Sequence, residues 1–134
     1  MINGLLTAAR TVYGEARGES FQGKVAVAWV ILNRYRSAKW FSGETLSEVC
    51  LKPQQFSCWN TDDPNRAVMM DADLNDKAFC ESLYAMLGAI TGLQQDPTMG
   101  ATHYHHSSVA PDWIASAPPC NCIIGHHVFY AGID

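Results

Sequence analysis

The sequence predicts an α+β domain, mainly helical, with a small β element near its C-terminus. Three observations lead there. Apolar residues recur at helical spacing in separate stretches, the strongest of them in the first third of the chain. The last third is punctuated by Pro111, Pro118 and Pro119 and leaves two short extended candidates, around 101–105 and 123–130. A length of 134 residues with 48% hydrophobic content suits one domain over 1–134 with a core of its own.

Each element has a local reason. Leu5, Ala8, Ala9, Val12 and Ala16 form one stripe of a first helix, with Asn3 available as its N-cap. Arg17 and Gly18 supply a C-terminal cation and a residue that accepts a left-handed backbone, which together end it. Ser20 can cap a second helix. From Val25 to Leu32 nothing is charged or strongly polar, so that helix is expected to run through the middle of the domain. Thr45-Leu-Ser-Glu48 reads as a capping box for a short helix that Pro53 stops. Residues 54–65 are dense in turn formers. From Lys77 onward Phe79, Leu83, Leu87 and Ile90 repeat at helical spacing until Gly92, and Asp96-Pro97 opens a loop. No internal repeat or low-complexity segment interrupts this order.

Composition narrows the partners. Nine basic against 13 acidic residues give a net charge of −4 with no basic run, which argues against nucleic acid or an anionic membrane as partner. The apolar run at 25–32 is too short to span a bilayer, and the N-terminus lacks a basic-then-apolar secretion pattern. The expectation is a soluble protein, made in a cytosol, without membrane insertion. Cys50, Cys58, Cys80, Cys120 and Cys122 are odd in number and irregular in spacing, so they read mainly as buried thiols. Cys120 and Cys122 lie near His126 and His127, with His103, His105 and His106 upstream, a set that could bind zinc if it converged. No pair has the spacing of a strong zinc motif, so no metal and no cofactor is expected.

The chemistry centres on Glu15. It sits where the first amphipathic helix gives way to the apolar second, beside a glycine turn, a place where a carboxyl's proton affinity is expected to rise and suit it to acid catalysis. The bland alternative is an ion pair with Arg17 or Arg34. Phe56, Trp59, Tyr104, Trp113 and Tyr130 lie outside the apolar helices, interleaved with Gln55, Ser57, Asn60, His103 and His105. Aromatic faces stack on sugar rings while amides and imidazoles meet hydroxyls, so these residues suit a carbohydrate groove; core packing is the competing use of each aromatic. His103 and His105 alternate along an extended segment and should share a face. Glycosidic cleavage commonly uses a second carboxylate, for which Glu19, Asp62, Asp63 and Asp112 are the candidates; with none, a sugar hydroxyl must attack instead.

Several blocks resemble the SleB/CwlJ-type cell-wall hydrolases, the spore-cortex-lytic family that also includes small phage lysins. They are Tyr13-Gly-Glu-Ala-Arg-Gly-Glu19, Gly23-Lys-Val-Ala-Val-Ala28, Ile31-Leu-Asn-Arg34, Gln55-Phe-Ser57, Thr102-His-Tyr-His105, Pro111-x-Trp113 and Ile124-Gly-His126 leading into Phe129-Tyr130. The resemblance runs from Thr11 to Tyr130. It implies a lysozyme-like, goose-type fold, a single catalytic domain, and cleavage of the peptidoglycan glycan strand between N-acetylmuramic acid and N-acetylglucosamine. The family's catalytic glutamate falls on Glu15; Glu19 takes a supporting or catalytic part, its like charge raising the acid's proton affinity. Gln55, Phe56, Ser57, His103, Tyr104, His105, Trp113 and Tyr130 are the expected substrate-binding residues. The compact chain fits a phage endolysin, monomeric, made in the host cytoplasm and reaching the wall through a holin-type route. A zinc amidase or peptidase and a non-catalytic wall-binding module are the competing classes.

Overall fold

A computed structural model describes residues 4–53 and 55–134. Among these residues five helices precede a small sheet: α1 (Leu5–Ala16), α2 (Phe21–Ser37), α3 (Leu46–Leu51), α4 (Asn65–Asp71) and α5 (Lys77–Thr91), then β1 (His103–His106), β2 (Cys122–Ile124) and β3 (His127–Tyr130). Single 3₁₀ turns occupy Ser57–Trp59 and Asp112–Ser116.

The helix signals hold with local differences. Asn3 lies outside the described residues, and Gly4, in a left-handed conformation, precedes α1. Gly18 does not adopt the left-handed backbone expected of it; Arg17 N–H closes α1 on the Tyr13 carbonyl, and Glu19 N–H bonds Ala16. Ser20 caps α2 as expected, its hydroxyl accepting from Gly23 N–H at 3.2 Å. Thr45 Oγ1 accepts from Glu48 N–H at 3.1 Å, while the Glu48 carboxylate reaches Glu44 N–H rather than that of the cap. In α5 the buried face is Phe79, Ser82, Ala85, Met86 and Ala89, whereas Leu87 is exposed. Leu83 and Ile90 are partly buried against the core beside this face, so of the expected stripe only Leu87 points away. Helix α4 had no apolar period to announce it; it follows Pro64 within a stretch of turn formers.

α2 is the axis of the domain. Its residues Val25, Val27, Ala28, Ile31 and Leu32 pack against α1 and α5, while Ala26 and Val30 on its other side meet Ala101 and Phe129 beneath the sheet. A helix apolar all round is what such two-sided burial requires. Lys24, only 2% exposed, is tolerated because its ammonium donates to the Glu19 carbonyl at 2.6 Å and pairs with Glu81 at 3.4 Å.

The extended segment at 123–130 is two strands, not one. Gly125, at φ +58°, turns the chain so that β2 and β3 form an antiparallel hairpin. β1 pairs antiparallel with the other edge of β3, with His103 opposite Tyr130 and His105 opposite Val128, giving the order β1-β3-β2.

Candidate active site

The last turn of α1 delivers Glu15 to the wall of a cleft of about 520 Å³. Arg34 of α2, residues 55–65, β1 and the segment 109–113 complete that wall. One carboxylate oxygen accepts a close hydrogen bond from the Tyr104 hydroxyl; the other accepts from Cys58 N–H at 3.3 Å. Gly14 makes the second contact possible. A Cβ there would lie 2.7 Å from Met69 Sδ and 2.8 Å from Cys58 Cβ, so any larger residue pushes the 57–59 turn away from the carboxylate. The Tyr104 hydroxyl is held well above its ordinary pKa by burial first, and then by the charge and hydrogen bond of Glu15. It therefore remains a proton donor fixed on that oxygen.

Glu15 forms no ion pair with Arg17 or Arg34. Arg17 lies over the Tyr13 ring, and the buried Arg34 directs Nε to the Thr102 carbonyl at 2.6 Å and Nη1 to Gln55 Oε1 at 3.3 Å. Among the described residues Asp62, Asp63 and Asp112 are absent from the cleft lining, in which Glu15 is the single carboxylate. Asp63 instead accepts from Asn65 N–H at 2.8 Å.

Glu19, four residues on in sequence, is outside that lining as well. Its two oxygens accept from His126 N–H and meet His126 Nδ1, both at 2.8 Å. Burial by itself would raise its pKa; the two His126 hydrogen bonds and the neighbouring imidazoles reverse that and hold it below the ordinary carboxylate value. A Cβ on Gly125 would come within 2.2 Å of Glu19 Oε1, so glycine is required for the clamp as well as for the turn. Glu19 thus binds the helix junction to the hairpin.

Of the expected groove residues, Gln55, Ser57, Asn60, Tyr104, His105 and Trp113 line the cleft. Phe56 does not: it is a core residue, its ring 4.7 Å from the Arg34 guanidinium carbon. Trp59 packs against the core and donates to Thr11 Oγ1 at 2.9 Å. Tyr130 is buried behind His105, stacked on it at 5.5 Å and joined hydroxyl to Nε2 at 3.0 Å, so it orients the imidazole rather than walling the cleft. Trp113 packs edge-on against both His103 and His105, as their alternation along β1 implies. His103 itself is buried between Phe41 and Trp113, and burial, followed by the Arg34 and Lys39 charges, pulls its pKa down to about 4.

Sequence reasoning missed Arg34, Asn65, His106 and His127 as lining residues. Arg34 stood in a quoted motif, so a charge ending an all-apolar helix was the available signal. The others come from the unannounced α4 and from the pairing of β1 with β3, which sets His106 opposite His127, and nothing local marks them. His127 is kept below the ordinary imidazole range chiefly by burial, and its Nδ1 is buried with no hydrogen-bond partner among the described residues. Among those residues no group of three or more His, Cys, Asp or Glu side chains is placed to hold a metal ion. All five cysteines are free: Cys50 and Cys58 are buried, Cys80 and Cys122 partly so, and Cys120 is exposed. Burial pushes the Cys50 thiol up to about 12 and Cys58 higher still, which leaves both un-ionised beside Glu15.

The chain as a whole resembles known proteins. The family profile described as Cell Wall Hydrolase matches residues 18–130. The chain belongs to the cell wall hydrolase family. Among its relatives, the spore cortex-lytic enzyme of Oceanobacillus iheyensis is 38% identical over 132 residues, 95% of this chain and 41% of the relative. That of Halalkalibacterium halodurans is 38% identical over 128 residues, 95% of this chain and 34% of the relative. The chain therefore spans less than half the length of these family members. The crystal structure of the catalytic domain of the Bacillus cereus SleB protein superposes with a TM-score of 0.77 at 34% identity, over 98% of this chain and 91% of that one. The catalytic domain of the germination-specific lytic transglycosylase SleB from Bacillus anthracis gives 0.73 at 34% identity, over 96% and 94%. The architecture is accordingly the lysozyme-like one shared by these family members.

Proposed function

We propose that this chain cleaves the glycan strand of peptidoglycan between N-acetylmuramic acid and N-acetylglucosamine as a lytic transglycosylase, with Glu15 as its single acid/base. The observation that carries the reading is that, among the described residues, Glu15 alone supplies a carboxylate to the cleft. A two-carboxylate hydrolase needs a second such group across the scissile bond. In the proposed reaction the Glu15 carboxyl gives its proton to the glycosidic oxygen as the bond from the muramic C1 breaks. The resulting carboxylate then takes the proton of the muramic 6-hydroxyl as that oxygen bonds C1. Glu15 is regenerated and the product ends in an anhydro sugar. Likeness to the SleB domain named a lytic transglycosylase supports the same assignment.

The test is mass spectrometry of muropeptides released from purified peptidoglycan. Anhydro-muramic ends are expected, formed at full rate after exhaustive chelation. A population made up only of reducing muramic ends, heavier by one water, with activity lost on replacing Asp62, Asp63 or Asp112, would leave a two-carboxylate muramidase. Activity restored only by added zinc would point to the peptide stem. The reading extends to place: the protein acts as an endolysin, made in the host cytoplasm and released to the wall by a holin-type route. Expression in a bacterial cytoplasm with and without a holin checks this, with lysis expected only when both are present.

A further inference from the structure

A smaller chamber of about 180 Å³ adjoins the Glu15 cleft at Trp113, and the two share Arg34, Gln55, Tyr104 and Trp113 as walls. Its volume suits one pyranose ring. Its outer wall is Trp40, which follows the end of α2 and is 58% exposed. That indole is held edge-on against the fully buried Phe41, with ring centroids 5.6 Å apart, so an apolar face is presented to solvent from a firm base. The inner wall is the opposite in character. Arg34 is 4% exposed and spends Nε on Thr102 and Nη1 on Gln55, whereas Nη2 has no hydrogen-bond partner among the described residues. The Asp134 carboxylate at the rim is already neutralised by Lys39.

We propose that this side chamber is a further sugar subsite, in which an N-acetylhexosamine of the glycan strand stacks on Trp40 and accepts a hydrogen bond from Arg34 through its acetamido carbonyl. The assignment rests on the glycan-strand reading above. A pyranose has one face of C–H groups and an edge of polar ones, which matches an exposed indole together with a fixed donor that has hydrogen-bonding capacity to spare. The shared wall lets one strand occupy both chambers. Binding in the side chamber then fixes which glycosidic bond lies against Glu15, and Trp40 sets the register of cleavage along the strand.

The experiment measures binding of peptide-free peptidoglycan glycan strands to the inactive E15Q protein and to E15Q/W40A and E15Q/W40F. Trp40 is exposed, so all three are expected to melt together. E15Q/W40A should bind about fivefold more weakly and E15Q/W40F close to E15Q, since phenylalanine keeps a stacking face. The Trp40 indole N–H resonance, identified by its absence in the W40F protein, should shift as strands are added. Equal binding by E15Q and E15Q/W40A, or an unmoved indole resonance at saturation, overturns the subsite alone. Failure of E15Q itself to bind glycan strands overturns the glycan-strand reading and the subsite with it.

Discussion

Glu15 and Glu19 belong to one short motif, yet the regions around them have opposite characters. The Glu15 region is an open cleft wall where a carboxylate, held by one hydroxyl and one backbone N–H, keeps a side toward solvent. The Glu19 region is a closed joint in which both oxygens are committed to the turn between β2 and β3. Each glutamate has its own glycine, Gly14 allowing the 57–59 turn to close on the first and Gly125 allowing the hairpin to close on the second. Each carboxylate has one hydrogen-bond partner per oxygen, so what separates chemistry from architecture is access: Glu15 lines the cleft, and Glu19 does not.

Substitution can break that contrast or sharpen it. The largest effect is expected from Glu15→Gln, which removes the transferable proton while keeping the shape. Wall-lytic activity should fall at least about a hundredfold with an unchanged melting temperature. A variant that keeps more than about a tenth of the activity would move the acid elsewhere. Next comes Gly14→Ala, whose methyl group must displace Met69 or Cys58 and with it the Glu15 contact. Activity should drop roughly tenfold or more because the carboxylate is misplaced, and stability should fall by about 1–3 kcal/mol. Denaturant unfolding alongside turnover separates the two losses.

Gly125→Ala is the matching change at the joint. It combines a left-handed backbone with a clash against Glu19, so about 1–3 kcal/mol of stability should be lost, with activity per folded molecule affected far less. Should Gly125→Ala instead abolish turnover in a fully folded protein, the joint is part of the catalytic machinery and the contrast fails.

Glu19→Gln is expected to cost about 1 kcal/mol near neutral pH, since one charge-assisted contact is weakened. Because the native pKa of Glu19 is depressed, its contribution is complete above the unfolded value of roughly 4.5 and is lost as pH falls through the lower folded value. The stability gap between wild type and Glu19→Gln should therefore close on acidification. A gap that widens below about pH 5 would contradict the clamp.

The last effect, confined to acid pH and away from the cleft, concerns His103, whose folded pKa near 4 lies below the ordinary imidazole value. Between that value and roughly pH 6.5 the unfolded chain binds more protons, so stability falls as pH drops through this window. Replacement with Gln should flatten that limb of a stability-against-pH curve. An unchanged slope would place the acid sensitivity elsewhere, with His127, also depressed by burial, the next group to replace.

The sequence by itself determined the helices whose signals are local: the stripe of α1, the Ser20 cap, the two-sided apolar α2 and the Gly92 stop. It also determined that Glu15 ends α1 beside a core helix, because position on a helix follows from spacing alone. Tertiary structure decided which side of that end is open. Tyr104 reaches Glu15 across 89 residues and Cys58 across 43, and His126 reaches Glu19 across 107. No periodicity records such distances. For the same reason Phe56 and Tyr130, which share aromatic character and a polar neighbourhood with Trp113, went to the core while Trp113 went to the cleft. Residue type sets what a side chain is able to do, but burial is decided by what packs against it, and in this fold the packing partners are supplied by elements far apart in the chain.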